Sequence, residues 1–184
     1  RNVRDCATGE FKDPVLGKSY YGGLDLAKVE DFSVLTLLNS QQECVFVDRF
    51  HKIPWDAQLT RIRAGADRYE DALLLVDSTG SGEPIFDALR KGGCRVRPYG
   101  FTSQSKTDLI NHLALQFEKK DIIIPKAEVF PEMVEELESY EYDVSDSGTV
   151  KMSAPRGQHD DCVVSLALAA WQAKRRHPPI VAWV

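Results

Sequence analysis

A chain of 184 residues, 43% hydrophobic and 28% charged, suits one globular domain with a proper core. Its longest apolar stretch, Cys162 to Trp171, is interrupted by Ser165 and is far short of the ~20 residues that cross a bilayer. The polar N-terminus lacks the apolar core of a signal peptide. The expectation is a soluble intracellular protein without a membrane partner.

The net charge of −5 is awkward for a nucleic-acid binder, since phosphate contacts need Lys and Arg. Its distribution is uneven. Eight acidic residues and no Lys or Arg lie between Glu128 and Asp146, whereas Arg90, Lys91, Arg95, Arg97 and Lys106 cluster in sequence. The scattered cysteines Cys6, Cys44, Cys94 and Cys162 form no C-x-x-C pair and read as buried thiols rather than a disulfide framework or zinc site.

Residues 1–19 read as an irregular N-terminal segment or linker. Tyr20 to Ala27 then reads as a strand whose Gly22-Gly23 pair invites close approach of another backbone. Phe32 to Leu38 and Glu43 to Phe50 follow as strands on short connections, the mark of an antiparallel meander. Leu59, Ile62, Ala66 and Tyr69 stripe a helix over Trp55 to Tyr69. Ala72 to Asp77 is apolar enough for a strand buried on both faces. A helix over Glu83 to Lys91 stops at Gly92-Gly93, and Cys94 to Tyr99 is another strand. Helices over Lys106 to Phe117 and around Phe130 to Leu137 flank a short extended Ile122 to Pro125. Tyr140 to Met152 reads as a hairpin turning at Asp146-Ser147-Gly148, and His159 to Lys174 as a long helix apolar on most sides. This order predicts an α/β fold: a mixed sheet, antiparallel in its first three strands and parallel afterwards, flanked by helices, with a late β-hairpin. The domain is expected over residues 20–177, with 178–184 as a C-terminal tail.

Carboxylates sit at three places where such a fold could form a site. Asp25 lies near the end of the first long strand. Asp77 directly follows the apolar Leu73-Leu74-Leu75-Val76 and precedes Ser78-Thr79-Gly80-Ser81-Gly82. Asp160 and Asp161 open the final helix after His159. Ligands of open α/β sheets bind beyond the carboxyl ends of parallel strands, and helix N-termini tolerate acids. Taken singly, each has a plain reading: Asp25 as a turn residue, Asp160-Asp161 as a helix cap. Taken together they make an oxygen-rich set suited to Mg²⁺ or Mn²⁺, and two such ions can drive phosphodiester hydrolysis.

The set Gly23-Leu24-Asp25-Leu26-Ala27, Leu73 to Gly82 and His159-Asp160-Asp161, with Lys106 before Asp108-Leu109-Ile110, resembles the ribonuclease H-like nuclease domain of viral large terminases. The resemblance runs from about Tyr20 to about Trp171. It implies Asp25, Asp77 and Asp161 as metal-binding catalytic residues, with Asp160 as an additional or alternative ligand. Lys106 would position phosphate or water, and His159, Arg97 and Arg156 would contact or position DNA. The hairpin from Val144 to Met152 would lie beside the site. The implied activity is endonucleolytic cutting of double-stranded viral DNA at the start and end of packaging, in the host cytoplasm. Implied partners are an ATPase domain preceding Arg1, a small terminase subunit and a portal ring. No G-x-x-x-x-G-K-[ST] phosphate loop occurs in this sequence. Other ribonuclease H-like nucleases (resolvase, transposase core, ribonuclease H) share the carboxylate logic. An actin-like nucleotide-binding domain shares the Gly-rich strand, and a non-catalytic docking module would leave the acids as surface groups.

Overall fold

Alternating side chains in the first half of the chain build one sheet with two apolar faces, and the acids ride on a single one of them. The computed structural model describes residues 2–26, 32–79, 82–144, 150–153, 155 and 159–174. In chain order the elements are α1 (Asn2–Cys6), β1 (Ala7–Gly9), β2 (Tyr20–Asp25), β3 (Ser33–Asn39), β4 (Cys44–Phe50), α2 (Trp55–Arg68), β5 (Leu73–Asp77), α3 (Gly82–Lys91), β6 (Val96–Tyr99), α4 (Ser103–Lys119), β7 (Ile124–Pro125), α5 (Pro131–Ser139), β8 (Glu141–Val144), β9 (Val150–Ser153) and α6 (Asp161–Lys174).

The main sheet has the order β4-β3-β2-β5-β6. β2, β3 and β4 pair antiparallel, while β5 joins β2 and β6 joins β5 in parallel, as the order of elements predicts. β8 and β9 pair antiparallel as the late hairpin; its predicted turn, residues 146–148, lies outside the described residues. Among the described residues no helix is long and apolar enough to cross a membrane.

Strand parity sorts the core in two. Tyr20, Leu24, Leu35, Leu37, Leu74 and Val76 point to the side covered by Ile62, Ala66 and Tyr69 of α2 and Leu89 of α3. Val34, Leu38 and Leu75 point to the other side, against Leu109, Leu113 and Phe117 of α4, Met133 and Val134 of α5, and α6. α6 is buried from Asp161 to Ala170, and again at Gln172 and Ala173, because the sheet lies on one side of it and α4 and α5 on the other. That accounts for a helix apolar nearly all round.

α6 lies directly on the central strand. A Cβ on Gly23 would stand 2.5 Å from the Ala169 nitrogen and closer still to the Ser165 carbonyl oxygen. Ser165 Oγ donates to the Gly23 carbonyl at 2.8 Å and also meets Thr36 Oγ1 at 2.9 Å, which satisfies the polar groups of this otherwise apolar contact.

Two differences from the sequence reading have local causes. The opening segment is not wholly irregular: α1 carries the buried Cys6, and β1 pairs in parallel with β7, Ala7 opposite Ile124 and Gly9 opposite Pro125. Strands of three and two residues are too short to display alternation, and their partners are more than a hundred residues apart. α4 begins at Ser103, three residues before Lys106. Thr102 accepts from the Ser105 N–H at 3.0 Å and Ser105 Oγ accepts from the Thr102 N–H at 2.8 Å, a capping box made of polar residues that leave no apolar stripe.

Gly23→Ala is expected to cost ~3 kcal/mol or more, the upper end of overpacking penalties, because the obstacle is backbone. Gly22→Ala meets only the side-chain ends of Leu74 and Leu37 and should cost ~1 kcal/mol. Urea unfolding of the two variants in parallel checks this order.

Candidate active site

Register brings the first two acids together. Leu24 stands opposite Val76 in the parallel β2–β5 pair, so Asp25 and Asp77 end neighbouring strands at the same edge. Both lie on the α6 side, because side chains alternate and Gly23 and Leu75, two residues earlier, face α6. The third group arrives on the helix. Four helical residues rise ~6 Å and two strand residues ~6.6 Å. With Ser165 seated at Gly23, Asp161 is therefore carried to the level of Asp25.

Backbone donors hold the carboxylates of Asp77 and Asp161. Asp77 Oδ1 accepts from the Thr79 N–H at 2.8 Å, so it is also the turn residue that its plain reading describes. Thr79 Oγ1 then accepts from the Phe101 N–H at 2.7 Å, and the Ser78 N–H donates to the Tyr99 carbonyl at 3.0 Å, tying the β5 end to the β6 end. Asp161 is buried and its Oδ2 accepts from the Phe32 N–H at 3.3 Å, with His159 Nδ1 at 3.5 Å. The Asp160 carbonyl accepts the Val164 N–H at 2.9 Å, opening α6, and its carboxylate stands 3.9 Å from Lys106 Nζ.

Electrostatics shows that these groups share one neighbourhood. Burial, followed by the carboxylates of Asp161, Asp160 and Asp77, pushes the Asp25 carboxyl well above its ordinary value of 3.8, and Lys106 acts in the opposite direction. Burial, then Asp160, likewise raises the Tyr140 hydroxyl. The donors are all oxygen, which is the chemistry of a hard divalent cation. They do not form a closed cage as they stand: among the described residues no three His, Cys, Asp or Glu side chains are disposed to hold a metal ion. The two findings answer different questions. The raised Asp25 carboxyl registers proximity, whereas a cage requires oxygens converging on one point, which like charges resist.

Asp25, Asp77, Asp160, Asp161 and Lys106 thus come together, and His159 borders them through Asp161. Arg97 does not join them. It is exposed on the edge strand β6, opposite Leu75 and two residues short of the carboxylate edge. Arg156 lies outside the described residues. Sequence reasoning missed Phe32, Tyr140, Arg49 and Glu136. Glu136 is buried on α5, its Oε2 accepting from the Cys162 N–H at 2.7 Å and its Oε1 facing Arg49 Nη2 at 3.3 Å. Its position inside a helical apolar stripe, between Met133, Val134 and Leu137, was the signal that could have found it.

Comparison with known proteins bears on the family and the fold. Residues 22–172 match the model of the terminase RNaseH-like domain family. The large terminase subunit of Thermus virus P23-45 is 32% identical over 152 residues, 82% of this chain and 31% of the relative; that of Thermus phage G20c matches equally. The chain therefore spans about a third of the length of these curated relatives. Among solved structures, the large terminase nuclease of thermophilic phage G20c with bound magnesium superposes with a TM-score of 0.84 at 27% identity, covering 93% of this chain and 95% of that one. The same nuclease has been crystallised with cobalt and with zinc. The nuclease domain of the Thermus phage P74-26 large terminase superposes with a TM-score of 0.80 at 27% identity, over 91% of each chain. The chain belongs to the terminase RNaseH-like domain family.

Asp25→Asn is expected to stabilise the protein in EDTA at neutral and higher pH. A carboxyl whose folded value is raised binds its proton more tightly in the folded state, so stability falls as pH rises from about 3.8 through the raised value. The variant should lose that part of the decline, read as thermal midpoint against pH for both proteins.

Proposed function

We propose that this member of the terminase RNaseH-like family is the metal-dependent endonuclease domain of a large terminase, cutting double-stranded viral DNA with little sequence preference as genome packaging begins and ends. The observation that carries the reading is the gathering of Asp25, Asp77, Asp160 and Asp161 with Lys106 at one edge of this sheet. The metal-bound structures of the G20c nuclease support it.

In this reading Asp25, Asp77 and Asp161 hold Mg²⁺ or Mn²⁺, two ions in all, with Asp160 as a further ligand. The ions, when bound, supply water activation and charge neutralisation on the phosphate being cleaved. Asp25 shares the strand edge with Asp77, and both are fixed by the sheet, so their spacing changes little as DNA arrives. Asp161 is oriented by the Phe32 N–H and by His159. Lys106, held near Asp160, offers its ammonium to a phosphate oxygen. His159, Arg97 and Arg156 are assigned to DNA contact or positioning. The net charge of −5 makes DNA binding by the isolated domain weak and salt-sensitive, and no base-reading element supports sequence specificity.

Partners in the same reading are double-stranded DNA, an ATPase domain in the full-length protein, a small terminase subunit and a portal ring, all meeting in the host cytoplasm.

Supercoiled plasmid incubated with Mg²⁺, with Mn²⁺ and with EDTA tests the proposal. Wild type should nick and linearise arbitrary plasmid with either ion and not in EDTA. Asp77→Asn should reduce cleavage at least a hundredfold while folding at least as well, since one of several crowded carboxylates is neutralised. Cleavage by Asp77→Asn at the wild-type rate would sink the metal-site assignment. Cleavage confined to RNA–DNA hybrids or branched DNA would transfer the chain's activity to another ribonuclease H-like class.

A further inference from the structure

We infer that the largely buried Arg49–Glu136 pair is a positioning device that aims Asp161 at the carboxylate edge, an inference that rests on the nuclease reading above. Four contacts form a closed circuit. Glu136 Oε2 accepts the Cys162 N–H at 2.7 Å, fixing the residue next to Asp161. Glu136 Oε1 faces Arg49 Nη2 at 3.3 Å, with both side chains largely withdrawn from solvent, 8% and 15% exposed. The Arg49 guanidinium lies over the Phe32 ring, Cζ 3.4 Å from its centroid. The Phe32 N–H donates to Asp161 Oδ2 at 3.3 Å, closing the circuit. His159 stands edge-on to Phe32 with centroids 5.1 Å apart, and its Nδ1 is 3.5 Å from the same Asp161 oxygen.

The circuit ties the start of α6 to Phe32, just before β3, to Arg49 of β4 and to Glu136 of α5. A carboxylate at a helix N-terminus is well placed, because the first N–H groups have no partner within the helix. Here it comes from outside α6. The Asp160 side chain, which would ordinarily cap the Cys162 N–H, faces Lys106 instead, and Asp161 is turned toward Phe32 and the other acids.

DNA contact is a poor account of the pair. The adjoining cleft, of about 580 Å³, is lined by Glu132, Glu135, Glu136 and Glu138 beside Arg49 and His159, a wall that repels phosphate. Among the described residues, the polar partners of the Arg49 and Glu136 side chains are each other and the Cys162 N–H. Both act through Asp161.

A purely structural ion pair would tolerate neutral replacement of both partners, since a buried pair exchanged for uncharged groups of similar size is often neutral in stability. The double variant Arg49→Met/Glu136→Gln removes both charges and keeps an amide oxygen for the Cys162 N–H. It should fold with a thermal midpoint near that of wild type. Below both midpoints, Mn²⁺ affinity measured by calorimetric titration without DNA should fall about tenfold, in the range seen when groups orienting metal ligands are lost. Plasmid cleavage at saturating DNA should fall with it and partly recover at high Mn²⁺, with KM for DNA unchanged. Phe32→Leu, which keeps the backbone donor and removes the ring under Arg49, should shift Mn²⁺ affinity the same way. Wild-type Mn²⁺ affinity and kcat in both variants, while wild type binds and cuts, would overturn this inference alone. A wild-type protein that neither binds Mn²⁺ nor cuts would overturn the nuclease reading and this inference with it.

Discussion

The contact between α6 and β2 at Gly23 is the constraint from which the rest of the structure follows. A helix normally stands off a sheet by the depth of its side chains and theirs. Here Gly23 has none, and the small Ser165 and Ala169 meet it, so backbone approaches backbone. The Ser165 hydroxyl spans the contact to the Gly23 carbonyl and Thr36. Once that point is fixed, the helix cannot slide along the strand by even one residue without driving a Cβ into the chain. The strands cannot slip either, because a one-residue shift would send Asp25 and Asp77 to the α2 side. A single small-residue contact in the core therefore sets the spacing of acids at the rim.

That rim concentrates charge the fold alone would not choose. Asp25, Asp77, Asp160 and Asp161 face one another at the end of a buried sheet, and Asp25 responds by holding its proton more tightly. Lys106 is the cation that opposes this in the described structure, reaching Asp160 from the first turn of α4. The start of α6 contributes as well, since its first N–H groups and dipole favour anions. Stability and chemistry pull in opposite directions at this edge, a pattern expected of sites kept for function.

Much of this was legible in the sequence because the relevant signals are local. An apolar run gave away β3 and alternation β4, the unbroken apolar run of Leu73 to Val76 announced a strand covered on both faces, and Asp77 stood out as a charge placed directly after it. Gly22-Gly23 signalled close approach, though not which element approached or that Ser165 would meet it. The N-terminal pairing of β1 with β7 was illegible, since so short a ladder has no periodicity. Arg97 was grouped with other basic residues by nearness in sequence, yet β6 is the outer strand, and the residue ends away from the acids. Glu136 was hidden in an acidic run that lines one cleft; its place in the apolar stripe of α5 set it apart from Glu132, Glu135 and Glu138, but that it would reach the Cys162 N–H at the start of α6 was not legible.

The plain reading of Asp160-Asp161 as a helix cap is half right, and the correct half explains the other. The Asp160 carbonyl does open α6, accepting the Val164 N–H. An exposed helix would also use a side chain of its own to satisfy the next donors. In this chain the donor on Cys162 is met by Glu136, a carboxylate brought from α5 and balanced by Arg49 from β4. Tertiary packing thereby takes over a task that local sequence usually performs. Asp160, whose side chain at the cap position would ordinarily serve that first turn, faces Lys106 instead, while Asp161 accepts from Phe32 beside Asp25. A helix start becomes part of a site when another element supplies its cap.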